Sequence, residues 1–373
     1  MKSLKFKPVT ALPLLLLIAT PLFSLAFPGK DFTKSINKEF EITRDGLVGV
    51  TNKYGDVDIR TWDASRVKFE VTIRVDARSQ DAADEVFKRI SVTFSDHASS
   101  VKAVTEIESA SSWKKWFGWG SSDDFEIDYV VYVPASVNLE LDNRYGDIYV
   151  GDKSGRTHII LKYGDMRLGQ LSGRGNISMA YADGSVQAIG DVELDLAYSD
   201  LSVAKAGRVT MDAKYSDVAL DNAGDITATT AYVDVKGGHV GRVVNSGKYD
   251  DFVFEKVIAL DVNSKYTSYT IDELSEYAKF EMGYGSLSIS HVLPKFTSID
   301  IRSSYTDVTL GVDAAAAFIL EAATRYCDIR HHGIEVTYDV EKSSEHTLKG
   351  FRGSSAGTSR ITADMSYGEL VIR

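Results

Sequence analysis

From Tyr145 onward the chain alternates apolar and polar residues with period two, in short runs set around tyrosines. Before a tyrosine stand Ile159-x-Leu161-x-Tyr163, Ile177-x-Met179-x-Tyr181 and Leu194-x-Leu196-x-Tyr198; after it stand Met166-x-Leu168, Leu201-x-Val203 and Val218-x-Leu220. Each run puts its apolar residues on one face, as a half-buried strand requires. The phase breaks between the runs. Tyr163 shares a face with Leu161, yet the next apolar residue, Met166, lies an odd step away. A flat strand cannot absorb that step, so Gly164-Asp165 is predicted to be a corner. Gly173, Gly190, Gly207 and Gly224 mark a second corner.

The pattern recurs. Tyrosines at 145, 163, 181, 198, 215, 232, 249, 266, 284, 305 and 326 are spaced 17 to 21 residues apart, and Tyr367 follows 41 residues later, two further steps of about 20. A fixed period of this size is the sequence signature of a solenoid. The predicted fold is all-β, a β-solenoid (β-helix) of about thirteen short coils. Each coil has two strands and two corners, and stacks on the next at about 4.8 Å to give a rod of roughly 60 Å.

The corner motif reads as architecture: Tyr145 with Asp147, Tyr163 with Asp165, Tyr198 with Asp200, Tyr215 with Asp217, Tyr249 with Asp251. Glycine or serine tolerates the tight backbone. Aspartate is expected to accept turn amides as an Asx-turn. Tyrosine is expected to close the end of the apolar interior, where burying its ring would contribute roughly 1.5–3 kcal/mol. Proline removes a ladder donor, and none occurs between Pro134 and Pro294. Two rivals fit less well. An outer-membrane barrel needs strands of about 9–11 residues, and this period leaves about seven. An antiparallel meander sandwich also alternates faces.

Residues 30–135 lack the short period and read as a β-rich cap with one helix. That helix is Ser79 to Ile90, capped by Ser79, with Ala82, Val86 and Ile90 on its apolar face. Residues 136–373 form the repeat domain. Residues 1–26 read as a signal peptide: Lys2, Lys5 and Lys7, an apolar stretch around Leu14 to Ile18, and Ser24-Leu25-Ala26 as a small-x-small cleavage site. The product is expected to be exported, to the periplasm, the outer surface or the medium. Net charge is −11, and loss of three leader lysines and no acid takes it to −14. That excludes nucleic acid as the expected partner. The one cysteine, Cys327, rules out an internal disulfide.

The segment Asn52-Lys-Tyr-Gly-Asp-Val-Asp-Ile-Arg-Thr-Trp-Asp63, the many Tyr-Gly-Asp-like corners, and the tail from His346 to Arg373 resemble the bacterial putative-adhesin family of unknown function. That family is related to auto-transporter adhesin head domains. The resemblance covers most of the mature chain and implies an exported β-helical protein. It brings no functional residues with it.

Three constellations could carry chemistry. Asp147, Asp165, Asp183, Asp200, Asp217, Asp234 and Asp251 form a file two positions after each tyrosine. Carboxylates about 4.8 Å apart repel by about 1 kcal/mol in water. Turn amides and the basic residues before several tyrosines, Lys162, Lys214 and Lys248, are the expected compensation; whether the file binds calcium stays open. The second is the loop from Ser111 to Asp124, with Trp113, Lys114, Lys115, Trp116, Phe117 and Trp119. It either folds onto the cap or meets a partner, a glycan or a membrane surface. The third, His331-His332 near Cys327, is not expected to hold a metal, because adjacent strand residues face opposite ways. No cofactor is implied, and no nucleophile or phosphate-loop motif is present. The expected function is an exported, non-catalytic, adhesin-like surface or envelope module binding a partner or glycan. The alternatives are a carbohydrate-active β-helix enzyme and a purely structural envelope-stress accessory protein.

Overall fold

The structure is a computed structural model that describes residues 30–108, 124–355 and 357–373. The leader and the loop holding Trp113, Lys114, Lys115, Trp116, Phe117 and Trp119 lie outside the described residues. The described chain is all-β, with 24 strands in one sheet system, not closed into a barrel, and one helix.

The repeat period is the hydrogen-bonding register. Strand Thr157–Lys162 pairs in parallel with Asn138–Arg144 on one side and Gly175–Ala180 on the other, so that Leu141, Ile159 and Ile177 form one column. Strand Asp165–Leu171 pairs in parallel with Ile148–Val150 and Asp183–Ile189. Each unit, here called a rung, is a pair of strands joined at its tyrosine. Later rungs follow the same rule, including the 21-residue step from the Tyr284 rung to the Tyr305 rung, where Tyr277 pairs with Ser298 and Gly285 with Thr306. The inward positions Ile159, Leu161, Met166, Leu168 and Leu171 are all buried. The two strand rows meet across this core, as where the Tyr269 and Phe280 rings stand 6.0 Å apart.

Both ends abandon the parallel rule. Strand Leu47–Lys53 pairs in parallel with Asn138–Arg144 and with Ser100–Ile107, which pairs antiparallel with Ile90–His97. Strand Val57–Trp62 pairs in parallel with Ile148–Val150 and Asp124–Pro134; antiparallel strands Arg66–Ala77 and Lys30–Glu41 follow. Tyr54 therefore heads a rung of its own. The helix is Gln80–Arg89, and Ser79 Oγ accepts the Ala82 amide at 3.3 Å as expected of a cap. Its buried face is Ala83 and Val86, and Ala82 is exposed. Of the expected apolar face, Val86 and Ile90 are buried, Ile90 as the first residue of the next strand, and Ala82 alone lies off it.

The carboxyl end departs further from expectation. The 41 residues between Tyr326 and Tyr367 are not two more rungs. Strands Glu335–Lys342 and Glu345–Arg352 form an antiparallel hairpin, and Glu345–Arg352 closes one edge of Phe318–His331. The last strand, Ser359–Ile372, then returns and lies between Ser298–Val312 and Phe318–His331.

In the rungs headed by Tyr145 and Tyr163 the tyrosine corner requires glycine, because backbones come into contact there. A Cβ on Gly146 would collide with the Gly55 carbonyl, and one on Gly164 with the Gly146 carbonyl. Neither obstacle is a side chain that could move aside. Gly164→Ala is expected to destabilise the protein by about 2 kcal/mol or more. Gly283→Ala, whose new methyl would lie 3.7 Å from the nearest atom, serves as the control with a near-native melting temperature. Equal melting temperatures for the two variants would contradict the close approach.

Candidate functional site

The repeated tyrosines form a continuous surface row along the rungs. All thirteen, from Tyr54 to Tyr367, have φ between 52° and 63°, the left-handed region. A bulky L residue there costs roughly 1–2 kcal/mol. The conformation turns each ring out of the core and lays it over its neighbour. Twelve ring contacts run Tyr54, Tyr145, Tyr163, Tyr181, Tyr198, Tyr215, Tyr232, Tyr249, Tyr266, Tyr284, Tyr305, Tyr367, Tyr326, with centroids 4.6–5.2 Å apart. Tyr367 stands between Tyr305 and Tyr326, as the strand order demands.

This corrects the expectation that tyrosine seals the interior. From Tyr145 onward the rings are 43–58% exposed. Their faces cover one another, while their edges and hydroxyls meet solvent. The corner itself is filled by the next residue. Ser199, Ser216, Thr267 and Thr306 are buried there, and each hydroxyl donates to the carbonyl of the residue before its tyrosine at 2.9–3.1 Å. Cys327 occupies the same slot, its Sγ 3.5 Å from the Arg325 carbonyl. Tyrosine was misplaced because period-two alternation carries no sign of φ; a left-handed residue leaves the strand's face although its spacing fits.

The aspartates also act differently from an Asx-turn. The Asp147 amide donates to Asp56 Oδ1 at 2.8 Å, the Asp165 amide to Asp147 Oδ1 at 2.8 Å, and the Glu369 amide to Asp307 Oδ1 at 3.0 Å. These carboxylates tie one rung to the next. In serine rungs the hydroxyl takes over the link, with the Ser199 amide donating to Ser216 Oγ at 3.1 Å. Asp165, Asp183, Asp200, Asp217, Asp234 and Asp251 then form an exposed column, each opposite the next in register. Partial burial first, and the Asp234 charge second, hold the Asp251 carboxyl above its usual range. Of the lysines expected to neutralise the column, Lys214 instead pairs with Asp212 at 3.3 Å, on its own strand. Among the described residues, no group of three or more His, Cys, Asp or Glu side chains is placed to hold a metal ion. The ladder thus carries an acidic file on one flank. On the other, Arg144, Lys162, Lys214, Lys248 and Lys265 stand immediately before their tyrosines, and Lys53 lies 4.6 Å from the Tyr54 ring centre.

Two features went unread in the sequence. Lys153 is buried in the inward slot that the next rung fills with Leu171. Its Nζ donates to the carbonyls of Gly155, at 2.9 Å, and Arg156, and to Thr157 Oγ1. Burial pulls its pKa down to about 8. A shallow groove of about 690 Å³ crosses the outer face near the carboxyl end, lined by Glu281, Asp300, Arg302, Glu321, Lys349 and Asp364 among others. Its acids are largely engaged: Glu321 with Arg360 at 3.0 Å, Glu281 with Lys279 at 3.2 Å, and Asp300 with the Thr362 hydroxyl.

No protein-family model matches the chain, and no curated protein does. Solved bacterial structures similar to it include a putative cell adhesion protein from Clostridium sporogenes, at 9% identity and TM-score 0.20 over 91% of this chain and 99% of that one. A putative adhesin from Bacteroides fragilis matches at 11% identity and TM-score 0.34 over 69% and 97%. A putative lipid binding protein from Parabacteroides distasonis matches at 14% and 0.28 over 74% and 95%.

Two tests follow from this geometry. Tyr198→Phe should melt like the parent. Tyr198→Gly loses two ring contacts and relieves the left-handed strain; Tyr198→Val loses the contacts and keeps the strain. Valine should therefore be less stable than glycine by about 1–2 kcal/mol in denaturant titrations, and the reverse order would contradict the left-handed corner. For Lys153 the folded pKa lies below the unfolded value of about 10.4. The unfolded chain then holds more protons between pH 8 and 10.4, and stability rises with pH across that window. Lys153→Met should raise the melting temperature by several degrees at pH 7, with the gain shrinking as pH approaches 10.4; a gain that does not vary with pH would contradict the burial.

Proposed function

We propose that the chain is an exported, non-catalytic β-solenoid of about thirteen coils that serves as an adhesin-like surface or envelope module. In this reading the stacked rungs are a rigid spacer, and the tyrosine ladder is the face offered to a partner or glycan. The observation that carries it is the exposure of a continuous row of ring edges and hydroxyls, flanked by an acidic file on one side and by intermittent basic residues on the other. A soluble protein gains little by exposing so much aromatic edge, whereas tyrosine at an interface brings contact area and a hydroxyl at low entropic cost.

The ring geometry constrains the mode of contact. Inner ring faces are covered by their neighbours, so sugars cannot lie flat on them. The contact would run along edges and hydroxyls. Indole faces of the loop at Trp113, Trp116 and Trp119 remain the proposed place for flat stacking or for a membrane-surface contact. Export through the leader, to periplasm, outer surface or medium, is part of the same proposal.

The test is a glycan-array and cell-binding screen of the mature chain and two variants. One carries phenylalanine at Tyr163, Tyr181, Tyr198 and Tyr215, which keeps the stack and removes four hydroxyls; the other carries serine at the three loop tryptophans. A ligand should bind the parent and lose at least tenfold in affinity in one of the two. A ligand that binds all three chains equally, or no ligand for the parent, would overturn the reading in favour of a purely structural role.

A further inference from the structure

The carboxyl-terminal strand fills a place that the sequence does not reserve for it. Tyr284, Tyr305 and Tyr326 are each 21 residues apart, the spacing at which the first two of these rungs pair directly. The third does not dock on the second. Ser359–Ile372 lies between them, with Ile299 opposite Ile361 on one side and Leu320 opposite Ile361 on the other. Ile299 and Leu320 are themselves 21 residues apart. The two rungs therefore carry matching registers and matching apolar faces with the inserted strand and without it.

The connectors permit both arrangements. Residues 293–297 and 313–317 are equal in length and hold the same turn: Phe296 donates to Leu293 at 3.2 Å and Ala316 to Asp313 at 3.0 Å. The first climbs one strand spacing, about 4.8 Å; the second climbs two. Five residues reach roughly 16 Å when extended, so neither climb is strained. The inserted strand is anchored by Ile361, Ala363, Met365, Leu370 and Ile372, all buried. It is tethered by 353–358, a Gly-Ser-rich stretch (Gly-Ser-Ser-Ala-Gly-Thr) whose first residue is a left-handed glycine. A terminal strand, a glycine-rich tether and a slot that the strand enters from outside the chain order are the ingredients of strand exchange.

We propose that the slot between the Tyr305 and Tyr326 rungs is an interaction site for the carboxyl-terminal strand of a second copy of this chain. Two copies exchange Ser359–Ile372 and form a reciprocal pair with every backbone hydrogen bond retained. The contacts are identical in the closed monomer and in the pair, so tether geometry and protein concentration set the balance.

The test uses the full mature chain with Cys327→Ser, a residue that the same corner slot holds in other rungs. Asp300 and Thr362 are register partners whose side chains touch. One copy carries Asp300→Cys and another Thr362→Cys. They are mixed, unfolded, refolded together at rising concentration, and oxidised with glutathione disulfide. A disulfide-linked species of twice the chain mass that joins one copy of each kind, and increases with concentration, is expected. A single chain carrying both substitutions checks the register by closing its bond internally. If it closes while the separate copies give no linked pair at any concentration, exchange is refuted. If it stays reduced, the strand does not occupy this slot and the proposal falls with it.

Discussion

A left-handed residue at the tyrosine corner is the constraint on which the rest of this molecule depends. It turns the chain from one strand row to the other within a few residues, so that each strand can lie on the matching strand of the neighbouring rung. It also commits the chain to a bulky residue where glycine would be easiest. One such corner would be a liability. Thirteen in register are tolerable because every ring lies on another, and stacked aromatic pairs contribute about 0.5–1.5 kcal/mol each beyond the area they bury. Strain and stacking thus grow together along the stack, and backbone pairing decides the balance. Corner serines, threonines and aspartates extend that pairing by bonding within their own rung or to the next.

Much of this was legible in the sequence. The period, the two strands per rung, the tyrosine corner and the glycine corner follow from alternation and spacing alone. Ser79 could be recognised as a helix cap from its place before an apolar repeat. The direction in which tyrosine points could not be read, because Leu161, Tyr163 and Met166 show that the phase breaks but not through which dihedral. The order of the last rungs was equally hidden. Register is a property of partners, and the 21-residue spacing of Tyr305 and Tyr326 gives no sign that the Tyr367 strand lies between them. Lys153 was missed because a single polar residue in an apolar slot looks like an ordinary surface lysine until its neighbours are known.

The candidate site is a different case. The aromatic loop at Trp113 to Trp119 stands out in the sequence by composition, whereas the tyrosine ladder, because it repeats, reads there as architecture. Its geometry makes it both. Repetition that builds the stacked rungs also produces a long, regular, solvent-facing row of phenol edges with charge on either flank. Groups used inside the fold, such as the buried hydroxyl of Ser216, and groups presented outside it, such as Asp217, alternate one residue apart.

The central claim is that consecutive rungs lie directly on one another in register, and spin labels can measure this in solution. Arg167, Ser185 and Ser202 are exposed and occupy one column on three successive rungs. Nitroxides on cysteines at these three positions, in a chain with Cys327 replaced by serine, should sit about 5 Å apart and give a single exchange-narrowed resonance. A resolved three-line spectrum, the signature of labels that do not touch, would contradict the stacking of the rungs.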